Sequence, residues 1–242
     1  MRMTTVVGLG LAGLSLLACS TKSASEYGTN EMYADITAKA TGTGNTSVSA
    51  AFRTAPTSLT FLQLTTDDKL EATRAGIVKT MTESSLLGAV AYHAEFDVDA
   101  ANTVFVVSLT RSKDSGAPNT QLTLPEPFTL AQLPNAGLGY SRATDPITLT
   151  WESQPSADAM KLQVTGTCID RYEASIADGA AQFTIAAATL RKRQPINEEE
   201  VPNECDATAT ITREHGGGLD PAYKGGLAVA SQTRAVTFKT KI

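Results

Sequence analysis

The sequence is poor in the residues that chemistry most often uses: its 242 positions hold two histidines, three cysteines and one tryptophan. Hydrolytic mechanisms lean on histidine because it titrates near neutral pH, and two copies leave little room for such a site. Gly-x-Ser-x-Gly, Ser-x-x-Lys, His-Glu-x-x-His and Gly-x-x-x-x-Gly-Lys are all absent, which removes the common serine-hydrolase, zinc-protease and nucleotide-binding readings. The chain is therefore expected to have no catalytic activity and no cofactor. Positive charge is scarce as well. The formal net charge is −5, and the one basic cluster, Arg191-Lys192-Arg193, is followed by Glu198-Glu199-Glu200, so a nucleic-acid partner is excluded. With one Trp, six Tyr and seven Phe, the supply of stacking platforms for sugars is thin. Helical periodicity is nearly missing too: in 72–87, Gly76 and the β-branched residues favour strands over a helix.

What remains is period-2 alternation. Tyr92, Ala94, Phe96 and Val98 alternate with His93, Glu95, Asp97 and Asp99, and Phe105, Val107 and Leu109 with Val104, Val106 and Ser108. The rhythm returns at Ile147–Trp151, Met160–Val164, Phe183–Ile185, Thr208–Arg213 and Leu227–Phe238, the pattern of strands with one face in a core. Turn clusters such as Thr41-Gly42-Thr43-Gly44-Asn45, Ser115-Gly116-Ala117-Pro118-Asn119, Ala177-Asp178-Gly179 and Gly216-Gly217-Gly218 separate them, which argues for an all-β fold of sandwiches. Proline and glycine between Pro134 and Pro146 break the pattern once, so two tandem antiparallel sandwiches are expected, over 31–140 and 141–242. The run Ile147-Thr-Leu-Thr-Trp151, a polar turn and Lys161-Leu162-Gln163-Val164 resemble the B and C strands of a fibronectin type III or immunoglobulin-like module, which implies a core tryptophan between two sheets. Trp151 precedes both Cys168 and Cys205, so the order is not the immunoglobulin Cys-Trp-Cys.

The N-terminus carries a different kind of signal. Arg2 precedes a mostly apolar run, Thr5–Leu17, that is too short to span a bilayer and reads as the core of an export signal. It ends in Leu16-Leu17-Ala18-Cys19, which resembles the lipobox of bacterial lipoproteins. That resemblance implies removal of residues 1–18, a diacylglyceryl group on the Cys19 thiol and acylation of the new N-terminus. Two or three acyl chains anchor a protein stably where one does so marginally. Residues 19–30, rich in Ser, Thr and Gly without apolar periodicity, are expected to form a flexible tether. Ser20 in place of Asp after the cysteine points, by the same resemblance, to the outer membrane. If Cys19 is lipidated, Cys168 and Cys205 remain as a pair, and in an oxidising compartment their disulfide would contribute roughly 4 kcal/mol.

Three further groups stand out as candidate sites. His93, Glu95, Asp97 and Asp99 share one strand face, where oxygen and imidazole ligands could meet a cation, although neighbours about 7 Å apart need help from a second strand. Asp67-Asp68 is a carboxylate pair whose adjacency points the two side chains apart. The glycine-rich stretch from His215 through Asp220, Tyr223 and Lys224 reads as a long loop between the last two strands and a candidate binding surface. Together these features describe a lipid-anchored envelope protein with a structural or protein-interaction role and an unidentified envelope partner. The alternatives are a carbohydrate- or peptidoglycan-binding lipoprotein and a cation-binding or hydrolytic one.

Overall fold

A computed structural model describes residues 19–153, 156–177, 179–195 and 200–242. The export signal expected over 1–18, Asp178 of one turn cluster, and Glu198 and Glu199 of the acidic run lie outside the described residues. Strands dominate. In order they are β1 (Ser20–Ser23), β2 (Tyr33–Ala40), β3 (Thr46–Arg53), β4 (Thr60–Gln63), β5 (Lys69–Arg74), β6 (Ile77–Thr80), β7 (Thr82–Leu86), β8 (Ala89–Phe96), β9 (Val104–Thr110) and β10 (Ala117–Thr123). There follow β11 (Phe128–Leu130), β12 (Tyr140–Ser141), β13 (Ile147–Ser153), β14 (Ala159–Gly166), β15 (Tyr172–Ile176), β16 (Gln182–Ile185), β17 (Glu204–Gly216) and β18 (Gly225–Lys241). Two short 3-10 turns, Ala24–Glu26 and Thr29–Glu31, are the only helical elements among the described residues.

The fold is all-β, as the alternation predicts, with two sandwich cores, but not the expected tandem antiparallel pair over 31–140 and 141–242: Phe128 and Leu133 pack in the second core, Tyr223, Ala228 and Ala230 in the first, and β18 pairs in parallel with β2, because both cores share one sheet. Residues 72–87 form strands, with Ala75-Gly76 turning the chain between β5 and β6 at positive φ. A single large sheet runs β1-β4-β3-β2-β18-β17-β14-β15, with β7 and β8 branching from β3 and β12 pairing with β18. A four-stranded sheet, β10-β9-β5-β6, covers one part of it and a three-stranded sheet, β11-β13-β16, covers another. Ala34, Ile36, Val48, Phe52, Phe96, Phe105, Val107 and Leu109 meet in the first core; Leu149, Trp151, Leu162, Val164, Ile211 and Phe238 meet in the second. Each contributes every other residue of its strand, so apolar burial is what selects the register.

The long ribbon β17–β18 joins the two. Its thirteen paired positions run from Glu204↔Lys241 to Gly216↔Val229. Ala228 and Ala230 belong to the first core, while Val236 and Phe238, further along the same face of β18, belong to the second. The early half of β18 also pairs in parallel with β2, from Gly225↔Tyr33 to Gln232↔Ala40. That seam is tight: at Gly226, with φ +133°, an added Cβ would lie 2.0 Å from the Ala34 carbonyl oxygen, so only glycine fits. Between the cores the shared face is polar. Phe128 is buried beneath the guanidinium groups of Arg213 and Arg234, 5.7 and 5.4 Å from its ring centre. Arg234 donates to the Gln232 Oε1 and Gln232 Nε2 to the Asp99 carbonyl, at 3.2 and 2.7 Å.

In the second sandwich Cys168 and Cys205 form the disulfide, with their Cα atoms 5.7 Å apart. Arg142 lies behind it, donating from Nη1 to the Cys168 Sγ at 3.3 Å and from Nη2 to the Asn203 carbonyl at 3.0 Å.

The segment after Cys19 departs from the expected flexible tether. Ser20–Ser23 is a strand, paired in parallel with β4 from Ser20↔Thr60 to Ser23↔Gln63, and Ala24 and Thr29 are fully buried. A polar composition without periodicity argues against a self-sufficient element, but here the partners come from far along the chain and the backbone, not the side chains, makes the pairing.

Candidate anchoring and binding sites

Arg111, Asp114 and Ser115 hold the leading segment. Arg111, at the end of β9, sends its guanidinium into the body: Nη2 donates to the carbonyls of Ala24 and Tyr27 at 2.8 and 3.3 Å, and Nε to Asp68 Oδ1 at 3.3 Å. Both side chains of this ion pair are almost fully buried, at 3% and 2% exposure. Asp114 accepts from the Thr29 amide at 2.6 Å, and the Thr29 hydroxyl donates to the Ser115 carbonyl at 2.5 Å. The Thr65 and Ser112 amides donate to Asp68 at 3.1 and 3.2 Å. Burial alone would raise the Asp68 carboxyl, but those amides and Arg111 outweigh it and hold it below the usual carboxylate range. The Thr29 and Ser115 amides do the same for Asp114. So of Asp67-Asp68, one member faces solvent and the other is an internal counter-ion.

Cys19, directly before β1, is a free, partly exposed thiol. The Ser20 amide donates to the Leu59 carbonyl at 3.0 Å, and the Thr21 hydroxyl donates to the Gly88 carbonyl at 2.9 Å. The Cys19 backbone is pressed against the β7–β8 turn, where a Cβ on Gly88 would lie 2.3 Å from the Cys19 carbonyl oxygen.

The loop after β17 is not the open binding loop its glycines suggest. Gly218 exchanges backbone hydrogen bonds with Gln121 of β10 at 2.8 and 2.9 Å, and a Cβ on Gly217 would meet the Gln121 carbonyl oxygen at 2.4 Å. The glycines allow close approach of two backbones. Asp220 is buried and ties the loop down, accepting from the Asn119 and Ala222 amides at 2.7 and 2.9 Å. Tyr223 points into the first core, its ring 5.9 Å from that of Phe52. Only His215 and Lys224 of the four residues face solvent; His215 pairs with Asp158 at 2.6 Å and Lys224 lies over the Tyr33 ring at 5.6 Å. The Tyr223 hydroxyl is buried without a hydrogen-bond partner among the described residues, and burial pushes its ionisation far up. Tyr223→Phe, which deletes an unmatched polar atom and keeps the ring, should raise stability by about 1 kcal/mol. Urea denaturation of the two proteins measures it; a loss of that size would show that the hydroxyl has a partner in solution.

The strand-face residues are separated. His93 Nε2 lies 3.0 Å from the Ser84 hydroxyl on the neighbouring β7, Glu95 and Asp97 point to solvent, and Asp99, beyond the end of β8, accepts from the Gly44 amide at 2.9 Å. No group of three His, Cys, Asp or Glu side chains converges on a common point among the described residues. A cleft of about 610 Å³ opens at the junction of the two sandwiches, bordered by Phe128, Leu130, Glu152 and Arg234. Sequence reading missed the buried arginines here and at Arg111; the one legible signal is Arg213, which falls at an inward position of an alternating strand.

No family model matches the sequence, and no curated protein matches it. Solved structures align over most of the chain, three of them as follows. The Yersinia pseudotuberculosis adhesin InvE aligns at 12% identity and TM-score 0.24, over 88% of this chain and 61% of that one. A two-domain fibronectin type III segment of chicken tenascin aligns at 12% and 0.23, over 86% and 98%. Fibronectin(III)-like modules of Clostridium thermocellum CbhA align at 10% and 0.24, over 86% and 91%. This chain thus spans about three fifths of the adhesin's length. Likenesses this distant carry no argument about ligands or activity, and the sandwich architecture rests on the strand pairing itself.

Proposed function

We propose that this chain is an exported lipoprotein, acylated at Cys19, whose two joined sandwiches form a non-catalytic structural or protein-interaction body in the cell envelope, with the outer membrane as its destination. The observation that carries the reading is the conjunction at Cys19. The sequence Leu16-Leu17-Ala18-Cys19 has the form a lipoprotein-processing system reads, and directly after it Ser20–Ser23 is a strand paired with β4 that leaves the thiol partly exposed at the edge of the sheet. A disulfide between the two remaining cysteines fits an oxidising compartment. Two sandwiches joined through one continuous sheet suit a presenting or spacing role.

Mass spectrometry of the protein extracted from membranes tests this. The expected N-terminal fragment starts at Cys19 and carries acyl chains, while Cys168 and Cys205 resist alkylation until reduced. A mature N-terminus without acyl groups would make the protein a soluble export instead.

A further inference from the structure

Resting on the lipoprotein reading, we infer that the β7–β8 turn is a second membrane contact, a pair of leucines that enters the bilayer beside the acylated Cys19. Leu86 and Leu87 are 75% and 84% exposed, and Leu59, whose carbonyl receives the Ser20 amide, is 48% exposed. The three leucines are not scattered. Gly88, next to Leu87, abuts the Cys19 carbonyl and accepts the Thr21 hydroxyl, so the leucines border the residue that would carry the lipid.

The backbone gives an independent reason to look here. Leu87 and Gly88 both have positive φ, 50° and 82°, the two-residue turn for which Asn-Gly is favoured. A leucine in that conformation is strained, and a leucine this exposed is poorly solvated. The other such turn, Ala75-Gly76, uses a small residue at the same place. Holding Leu87 where it is disfavoured on two counts makes sense if its side chain leaves water.

Charge agrees. The segments meeting at Cys19, namely 19–21, 54–60 and 84–91, contain no acidic or basic residue, in a chain that is 19% charged. An uncharged, leucine-tipped surface can enter the headgroup and acyl boundary without desolvating an ion. Because the segment after Cys19 is a paired strand and not a slack linker, an anchor on that cysteine draws this surface onto the bilayer. The occupant is therefore lipid.

The test uses the full chain processed in membranes, carrying Leu87→Trp, with Trp151 retained as a buried reference. It is reconstituted into phosphatidylethanolamine–phosphatidylglycerol vesicles with and without brominated acyl chains. A matching Leu138→Trp protein, probing an exposed position of the second sandwich, is the control. The expected result is a blue shift and quenching by brominated lipid for Leu87→Trp and neither for Leu138→Trp. The same samples are weighed by mass spectrometry. Acylated protein whose Leu87→Trp emission is unquenched overturns the membrane contact and leaves the anchor standing; unacylated protein that is quenched overturns the anchor and keeps the contact. In a second arm, Leu86→Asn with Leu87→Asn, which suits the turn better, should speed transfer of the acylated protein between vesicles by about tenfold. Unchanged transfer with intact folding would also count against the contact.

Discussion

Arg111→Ala should cost about 3–5 kcal/mol and free the segment that follows Cys19, the effect expected when one partner of a buried ion pair is removed. Asp68 would keep its two amide donors but lose its counter-ion, and the Ala24 and Tyr27 carbonyls would lose the guanidinium that satisfies them. Urea unfolding gives the global loss, and hydrogen exchange resolved along the chain gives its location: fast exchange over 20–32, with β17–β18 unchanged. Uniform loss of protection would mean that the segment is part of the core and not a clasped arm. Acid should act in the same place. The folded-state carboxyls of Asp68 and Asp114 lie below their ordinary values, so their contribution is fully present above the unfolded-state pKa, about 4. It is lost as pH falls from there through the lower folded-state values. The arm should therefore stay clasped at pH 5 and loosen in stronger acid.

Removing the disulfide is the other large effect. Cys168→Ala with Cys205→Ala deletes a cross-link between residues 37 apart, for which loop-closure entropy gives about 4 kcal/mol. For a chain of this size that is a fall in melting temperature of about 10 °C, readable by calorimetry. The enclosed stretch contains β15 and β16, which sit at the margins of their sheets and have few other ties. Arg142, donating to the Cys168 sulfur and the Asn203 carbonyl, would lose one of those contacts as well. Cys19→Ser is the control and should leave the melting temperature where it is. Equal stability of the double variant and the parent would place the native strength of the second sandwich in its packing alone.

How far the sequence could be read follows from the range over which its signals act. Strands were legible because alternation is local: Leu162 and Val164 inward, Lys161 and Gln163 outward, needs only four neighbours. Trp151 in a core followed from the same rhythm. The leading segment was misread because its partners β4, Asp114 and Arg111 lie 40 to 87 residues away and nothing in Ser20-Thr-Lys-Ser23 announces them. The loop after β17 was misread for a related reason. Glycine signals freedom when seen alone, yet Gly217 is there because the Gln121 backbone comes within reach. Tyr223 has an amphipathic side chain that composition places equally well inside or outside. Arg213 was nearly legible, since it continues the inward series Ala207, Ala209, Ile211, and an inward arginine on a regular strand marks the place where one core stops and the next begins.

The parallel seam between β18 and β2 also sets an order of events. Gly225 pairs with Tyr33 and Gln232 with Ala40, so the sheet of the first sandwich closes only after nearly the whole described chain is available. Such remote contacts pay a large loop-closure entropy before they stabilise anything, and they slow folding. The first sandwich is thus unable to complete itself while the remainder is still being made. Vectorial synthesis delivers an open platform first and its missing central strand late, so closure of the first core waits for β18.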